Sequence, residues 1–396
     1  MSAAGLSRAG LDRLQAVLAA TVERGDAPGL VALVHRRGET HVVALGAMAA
    51  DGDAPMRRDA IFRIASMTKP IAAAAAMILV EEGRLYLDEP VDELLPELAN
   101  RAVLRSIDAE LDDTVPAERP ITLRDLLTFR PGFGVVLLPP GSTPFQRAVD
   151  AAHLGAGPDA PEADADTWMK RLGALPLAHQ PGTAFMYHIP ADVLAVLIGR
   201  AAGQRFDDFL RDRLFEPLGM ADTGFVVQAA NADRVPARYE TDGETGATVR
   251  RDDPRPSDRP PVFPSGGTGL FSTADDYLAF CRMLLDKGRH AGGRILSRPA
   301  VELMTTDHLT AEQKAGNEIL LGSGGWGFGM AVETCRDQLY TSPGRFGWNG
   351  GLGTTAYSDP AEDLVGILLT QRAMTSPRPT RVMVDFWTAA YAAIDD

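Results

Sequence analysis

The chain has 396 residues, of which 45% are hydrophobic and 23% charged, the balance of an ordinary globular protein. Its net charge is −14 and no basic stripe interrupts the sequence, so nucleic acid is not an expected partner. Cys281 and Cys335 lack metal-ligand spacing and the seven histidines are scattered without an H-E-x-x-H pattern, so no metal or other cofactor is expected.

The first residues lack the long apolar core of an export signal. The longest apolar run, 71–80, is too short to span a bilayer. A cytoplasmic enzyme with two buried, reduced thiols is the expectation, with no membrane partner and an open oligomeric state. Residues 11–22 carry Leu11, Leu14, Val17, Leu18 and Val22 at helical spacing and predict a helix packed on a sheet. Residues 30–35 and 40–45 are Val-rich and flank Arg36-Arg37-Gly38-Glu39, a hairpin signal. Residues 61–65 read as a short extended lead-in to Ser66-Met67-Thr68-Lys69.

Ser-x-x-Lys stacks a hydroxyl and an amine on one helical face. A serine is a poor nucleophile until its proton is taken, and a lysine kept neutral by burial can take it. The context favours burial. Residues 71–80 are wholly apolar and end in Glu81-Glu82-Gly83, a helix too apolar for a surface, with Gly83 suited to the position just past its end. Ser66 therefore heads a buried helix, where free N–H groups favour developing negative charge. Only four lysines occur (Lys69, Lys170, Lys287, Lys314), which makes a buried one conspicuous.

In the middle of the chain, 91–95, 123–128, 168–172 and 192–201 read as helices joined by long loops. Segments 138–166 and 231–261 look irregular, which fits functional lids, binding walls or disordered stretches alike. Tyr187 stands at a loop-to-helix junction; a phenol whose pKa a nearby lysine lowers would shuttle a proton to a leaving group. His188 beside it offers a group titrating near neutrality, although a packed ring is the plainer reading. Residues 264–270 form a tight turn feeding a strand and line a site at most. Thr273 caps a following helix, and 324–329 is a turn-and-strand element. Gly347-Trp348-Asn349-Gly350-Gly351 opens a predicted strand over 351–358, paired with 364–370. As an edge strand it would give an oxyanion one N–H beside that of Ser66, while Trp348 stacks on substrate. Residues 383–394 read as a terminal amphipathic helix, and strands at both ends of the chain predict one antiparallel sheet flanked by helices.

Taken together in order, Phe62-Arg63-Ile64-Ala65-Ser66-Met67-Thr68-Lys69-Pro70, the Gly83 to Val91 stretch, Ile121 to Thr128, Pro181-Gly182 before Tyr187, Glu216-Pro217-Leu218-Gly219-Met220, the Pro264 turn and Gly325-Trp326-Gly327-Phe328-Gly329 resemble the serine β-lactamase and penicillin-binding-protein superfamily. The chain looks most like its family VIII carboxylesterases, relatives of class C β-lactamases. That resemblance implies an α/β (α+β type) fold: a sheet domain from 1–85 and 205–396, and a mainly helical insertion at 86–204. It implies Ser66 as nucleophile, Lys69 as its activator, Tyr187 as proton relay, and the N–H groups of Ser66 and Gly351 as the oxyanion hole. Trp348, Asn349 and Gly350 stand where β-lactamases carry Lys-Thr-Gly and would contact substrate. The side-chain amide of the lactamase Tyr-x-Asn is replaced by Ile189. The His-Thr-Ser-Gly common after Leu-Leu-Thr appears as Phe129-Arg130-Pro131-Gly132, for which the sequence offers no role. Losing the strand cation removes the partner of an anionic lactam. The expected activity is hydrolysis of small, uncharged, short-to-medium acyl esters. A β-lactamase, D-aminopeptidase or acyltransferase is the alternative, and a non-catalytic binding protein stands further off.

Overall fold

The Val-rich segments near the N-terminus form the expected hairpin, β1 (Gly29–Arg36) and β2 (Glu39–Gly46). Its two-residue turn places Arg37 and Gly38 at φ +46° and +85°, the positive-φ geometry whose twist matches that of the flanking strands. The computed structural model describes residues 5–157, 159, 161–251 and 259–396. Five further strands complete one antiparallel sheet: β3 (Gly325–Trp326), β4 (Ala331–Val332), β5 (Phe346–Gly350), β6 (Thr354–Asp359) and β7 (Leu364–Thr370), in the order β3-β4-β5-β6-β7-β1-β2. The two termini thus meet where β1 pairs with β7, from Leu30 opposite Thr370 to Arg36 opposite Leu364.

Alternation along these two strands builds both faces. Val31, Leu33, Val365, Ile367 and Leu369 enter one apolar cluster, and Leu30, Ala32, Val34, Leu364 and Leu368 enter the other. Helices α1 (Arg8–Glu23) and α8 (Arg381–Tyr391) cover the second face. The first face receives α2 (Thr68–Glu81) and α7 (Ala274–Leu285). Between them in the chain come α3 (Leu123–Leu127), α4 (Pro144–Ala151), α5 (Ala165–Gly173) and α6 (Ile189–Ala202). The first cluster runs without a break from α2 through α3, α5 and α6. Five consecutive alanines, Ala72 to Ala76, are fully buried; their small side chains let neighbouring elements crowd against α2.

Five expectations need correction here. Residues 91–95 form a turn rather than a helix: Pro96 pushes Leu95 to φ −125°, ψ 67°, outside helical geometry. Segment 138–166 is not wholly irregular, because Thr143 and Gln146 form a capping box with Pro144 in the first turn of α4. Segment 231–261 contains a hairpin, Arg238–Thr241 with Thr248–Arg251, while residues 252–258 of that expectation lie outside the described ones. The strand expected over 351–358 starts only at Thr354, because 351–353 make the β5–β6 turn, closed by Gly353 N–H on Gly350 O at 3.0 Å. Cys281 is buried as expected but Cys335 is exposed. Among the described residues no helix is long and apolar enough to cross a membrane.

The turn at 264–268 lies directly against α6, and a Cβ on Gly266 would overlap the carbonyl oxygen of Ala191. Gly351 faces open space, with no atom within 4 Å of a Cβ built there. Gly266→Ala is therefore expected to lower unfolding stability by about 1–3 kcal/mol, and Gly351→Ala to leave it unchanged, as read by urea denaturation of the two variants.

Candidate active site

Ser66 sits in a single 3-10 turn, Ala65–Met67, that feeds α2. Three elements pin this turn. The Ile64 N–H donates to Leu270 O at 2.9 Å, Thr354 Oγ1 on β6 donates to Ile64 O at 3.2 Å, and Tyr277 Oη on α7 donates to Met67 O at 2.9 Å. Ala65 is held at φ +45°, a strained conformation for a residue with a Cβ. Strain of this kind survives only where the surroundings impose it, and here it sets the serine at the mouth of a cavity of about 550 Å³.

Lys69 follows one turn later and is 1% exposed. Its Nζ lies 3.0 Å from Ser66 Oγ, 2.6 Å from Gly267 O and 3.3 Å from His188 Nδ1. It also sits 4.6 Å above the centre of the Tyr187 ring. Burial, opposed by the charge of Asp192, lowers its pKa to about 7. A neutral amine at this place gives one N–H to Gly267 O and one to His188 Nδ1, leaving its lone pair for the Ser66 hydroxyl.

Tyr187 closes the other side. Its Oη accepts from Trp348 Nε1–H at 2.6 Å and is hydrogen-bonded to Ser66. Its ring is packed among Phe129, Trp326 and Trp348, with centroid separations of 5.9, 6.1 and 5.6 Å. Burial raises the phenol pKa well above its ordinary value, more than its hydrogen bonds to Ser66 and Trp348 lower it. The expected lowering by a cationic lysine does not occur, because that amine is itself driven towards neutrality and faces the ring rather than the oxygen. The phenol is a proton donor at rest, not a base.

The structure brings Ser66, Lys69, Tyr187 and Gly351 to one place: Gly351 lines the same cavity as Ser66. The remaining expected contacts fall elsewhere. Trp348 is buried against Trp326 at 4.7 Å between ring centroids and does not line the Ser66 cavity. Its indole positions Tyr187 instead of presenting a stacking wall. Asn349 lines a different cavity, on the side of Tyr340 and Trp387. Gly350 is buried with its Cα against Ile64 O and Thr354 Oγ1. Nor is β5 an edge strand: β4 covers it at Phe346 and Gly347, though only there.

Several contributors escaped the sequence reading. His188 does not titrate near neutrality, since burial and then the Lys69 charge push it far below that range. It is the centre of a γ-turn of the rarer positive-φ kind, at φ 76°, ψ −72°, with Ile189 N–H donating to Tyr187 O at 3.1 Å. Phe129, which replaces the histidine of the familiar segment, lies at φ +57° with its ring 4.9 Å from Trp326, forming the floor under Tyr187. The 264–268 turn does more than line the site, since its Gly267 carbonyl binds the amine. Asp192 and Ser265 are joined by a short hydrogen bond behind it. A buried Asp four residues after His188 on a helix was the readable signal for this group.

A seven-stranded antiparallel sheet between two helical layers, with a serine and a buried lysine one turn apart at the head of a central helix, defines the serine β-lactamase and penicillin-binding-protein class. The chain belongs to the Beta-lactamase family, whose profile matches residues 14–385. It is 39% identical over 373 residues to Protein Rv1367c of Mycobacterium tuberculosis, covering 91% of this chain and 90% of that one. It is 31% identical over 382 residues to Esterase EstB of Burkholderia gladioli, again covering 91% and 90%. Among solved structures, EstCE1, a hydrolase with promiscuous acyltransferase activity, superposes with a TM-score of 0.79 at 25% identity, covering 97% of this chain and 99% of that one.

Replacing Trp348 by Phe keeps an aromatic ring but removes the N–H on Tyr187. The rate at which a fluorophosphonate labels Ser66 is expected to fall about tenfold, with the thermal midpoint within a few degrees of wild type; an unchanged labelling rate would remove Trp348 from the machinery.

Proposed function

We propose that the protein is a serine carboxylesterase acting on small uncharged esters through an acyl-enzyme on Ser66. The observation that carries this reading is the buried amine of Lys69 at 3.0 Å from Ser66 Oγ. Ser66 Oγ attacks the ester carbonyl and its proton passes to Lys69 Nζ. The oxyanion is received by the N–H groups of Ser66 and Gly351. Tyr187 hands its phenolic proton to the leaving alkoxide, and the proton Lys69 received replaces it once the ammonium turns from the ring, where it rests, to the phenolate oxygen. Water then attacks the acyl-enzyme, and the same groups return the proton to Ser66 Oγ. Lys69 is the resting base, a choice supported by the opposite directions in which burial moves its amine and the Tyr187 phenol. The name of EstB, an esterase at 31% identity, agrees with this chemistry.

The charge of the cavity supports an uncharged substrate. Among the described residues lining it, Glu240 is the charged one, and no cation faces Ser66. A lactam carboxylate would meet no cation on this lining, since Trp348 stands where lactamases offer a lysine and Glu240 is ion-paired with Arg238 and Arg251. An apolar trough of about 590 Å³, lined by Val135, Val136, Leu138, Phe145, Val149 and Ile189, shares Ala156 with the Ser66 cavity. It suits a short-to-medium acyl chain, and Ile189 gives it an apolar wall where lactamases carry an amide. Acyl transfer to an alcohol is a second reading, supported by the description of EstCE1.

Ser66→Ala is expected to reduce p-nitrophenyl ester hydrolysis by about 10³-fold or more with the fold intact; an active variant would refute the assignment. Because the neutral amine is the working form, kcat/KM should fall as pH drops through about 7, where Lys69 gains its proton. Leu138 is 46% exposed, so Leu138→Glu should fold normally. It should raise KM for the octanoate ester about tenfold and leave the acetate unchanged. A cephalosporin hydrolysed with higher kcat/KM than a p-nitrophenyl ester would reverse the substrate ranking. An added alcohol that captures the acyl group faster than water would favour the transferase.

A further inference from the structure

Burial lowers the basicity of Lys69, and a base far weaker than the operating pH requires takes a proton poorly. Asp192 is buried with it, one turn into α6 on the same face as His188. Burial raises its carboxyl pKa from the ordinary value, and the hydrogen bonds from Ser265 and Gly267 and the charge of Lys69 oppose that rise. Ser265 Oγ accepts from the N–H groups of Gly267 and Thr268, both at 3.0 Å. Its single proton is therefore left for Asp192 Oδ1, to which it makes a short hydrogen bond. Oδ1 also accepts from Gly267 N–H at 3.1 Å. Two donors converge on that oxygen, as suits an anion. Oδ2 lies 3.6 Å from His188 Nε2, and the opposite ring nitrogen is the one 3.3 Å from Lys69 Nζ.

We propose that Asp192 is a positioning residue for the ester reaction: its carboxylate, held by Ser265 and Gly267, fixes the tautomer of His188 and sets both the aim and the basicity of the Lys69 amine. The proposal rests on the assignment of Ser66 and Lys69 above. With its proton on Nε2, facing Asp192, His188 presents a lone pair at Nδ1. The amine then has two acceptors, Nδ1 and Gly267 O, and its own lone pair turns to Ser66. The negative charge raises the amine against the lowering by burial. Other charges face the cluster from farther off. Asp150, Asp159, Glu162 and Arg171, with His153, share with His188 and Asp192 a cavity of about 690 Å³ behind α6, and Glu240 lies across the Ser66 cavity in front. Tyr187 and Ser66 complete the shell around the amine.

The test is the pH dependence of fluorophosphonate labelling of Ser66, together with kcat/KM for p-nitrophenyl acetate, in wild type, Asp192→Asn, Asp192→Glu and Ser265→Ala. Without the carboxylate, the acid limb of both profiles should move down by about one pH unit or more and the plateau should drop about tenfold or further. Asp192→Glu should return the limb to its wild-type position. Ser265→Ala, which removes a donor that favours the ionised carboxylate and so promotes its protonation, should move the limb the same way by less, and it decides the question if Asp192→Asn does not fold. Rates lowered uniformly with the limb unmoved would overturn the proposal and leave Asp192 a packing residue. Failure of the wild-type protein to label at all would overturn the esterase reading itself, and this proposal with it.

Discussion

One constraint organises this molecule: a lysine amine is kept out of water within reach of a serine hydroxyl. Lysine is among the residues least often buried, so the cost of desolvating Lys69 must be offset elsewhere. The sheet and its two helical layers supply the offset. A seven-stranded sheet with fully buried central strands β1 and β7 gives α2 a wide apolar surface. The alanines of α2 let that helix sink until its first turn is inside the core. The serine stays at the surface of a cavity because the chain breaks from helical geometry at Ala65, one residue before it.

The strain is paired. Ala65 and His188 both hold positive φ, and each is the immediate neighbour of a group that faces the other, Ser66 in one case and Tyr187 in the other. Both are fixed from several directions, the first by β6, α7 and the Leu270 carbonyl, the second by α6 and the 264–268 turn. Elements from distant parts of the chain thus hold a hydroxyl within hydrogen-bonding range of an amine and place a phenol ring against that amine. Such preorganisation lets charge develop in the reaction without rearrangement of the surroundings.

Much of this was legible in the sequence because the signals were local. The Val-rich runs at 30–35 and 40–45 marked the first hairpin, and the apolar run at 71–80 marked a helix with no exposed face. Ser66 and Lys69 announced themselves by a spacing whose meaning depends only on the helix they share. What resisted reading was decided by contacts distant in sequence. Trp348 looks like a stacking residue until Trp326 and Tyr187 are seen to pack against it. Phe129 had no evident role until Tyr187 was packed above it. His188 has an ordinary sequence context, and only its backbone strain and its approach to Lys69 show that it belongs to the site. The helix in 138–166 was a different failure, since Thr143-Pro144-Phe145-Gln146 carries a local capping signal that the surrounding Pro and Gly residues obscured.

With only four lysines in the chain, the state of the buried amine can be observed directly by titrating ¹⁵Nζ- and ¹³Cε-labelled lysine by NMR, using Lys69→Met for assignment. The Lys69 resonance is expected to titrate near pH 7. A Lys69 resonance titrating above pH 10 would be the contradicting result, because Lys69 would then be an ammonium at rest and unable to take the proton of Ser66.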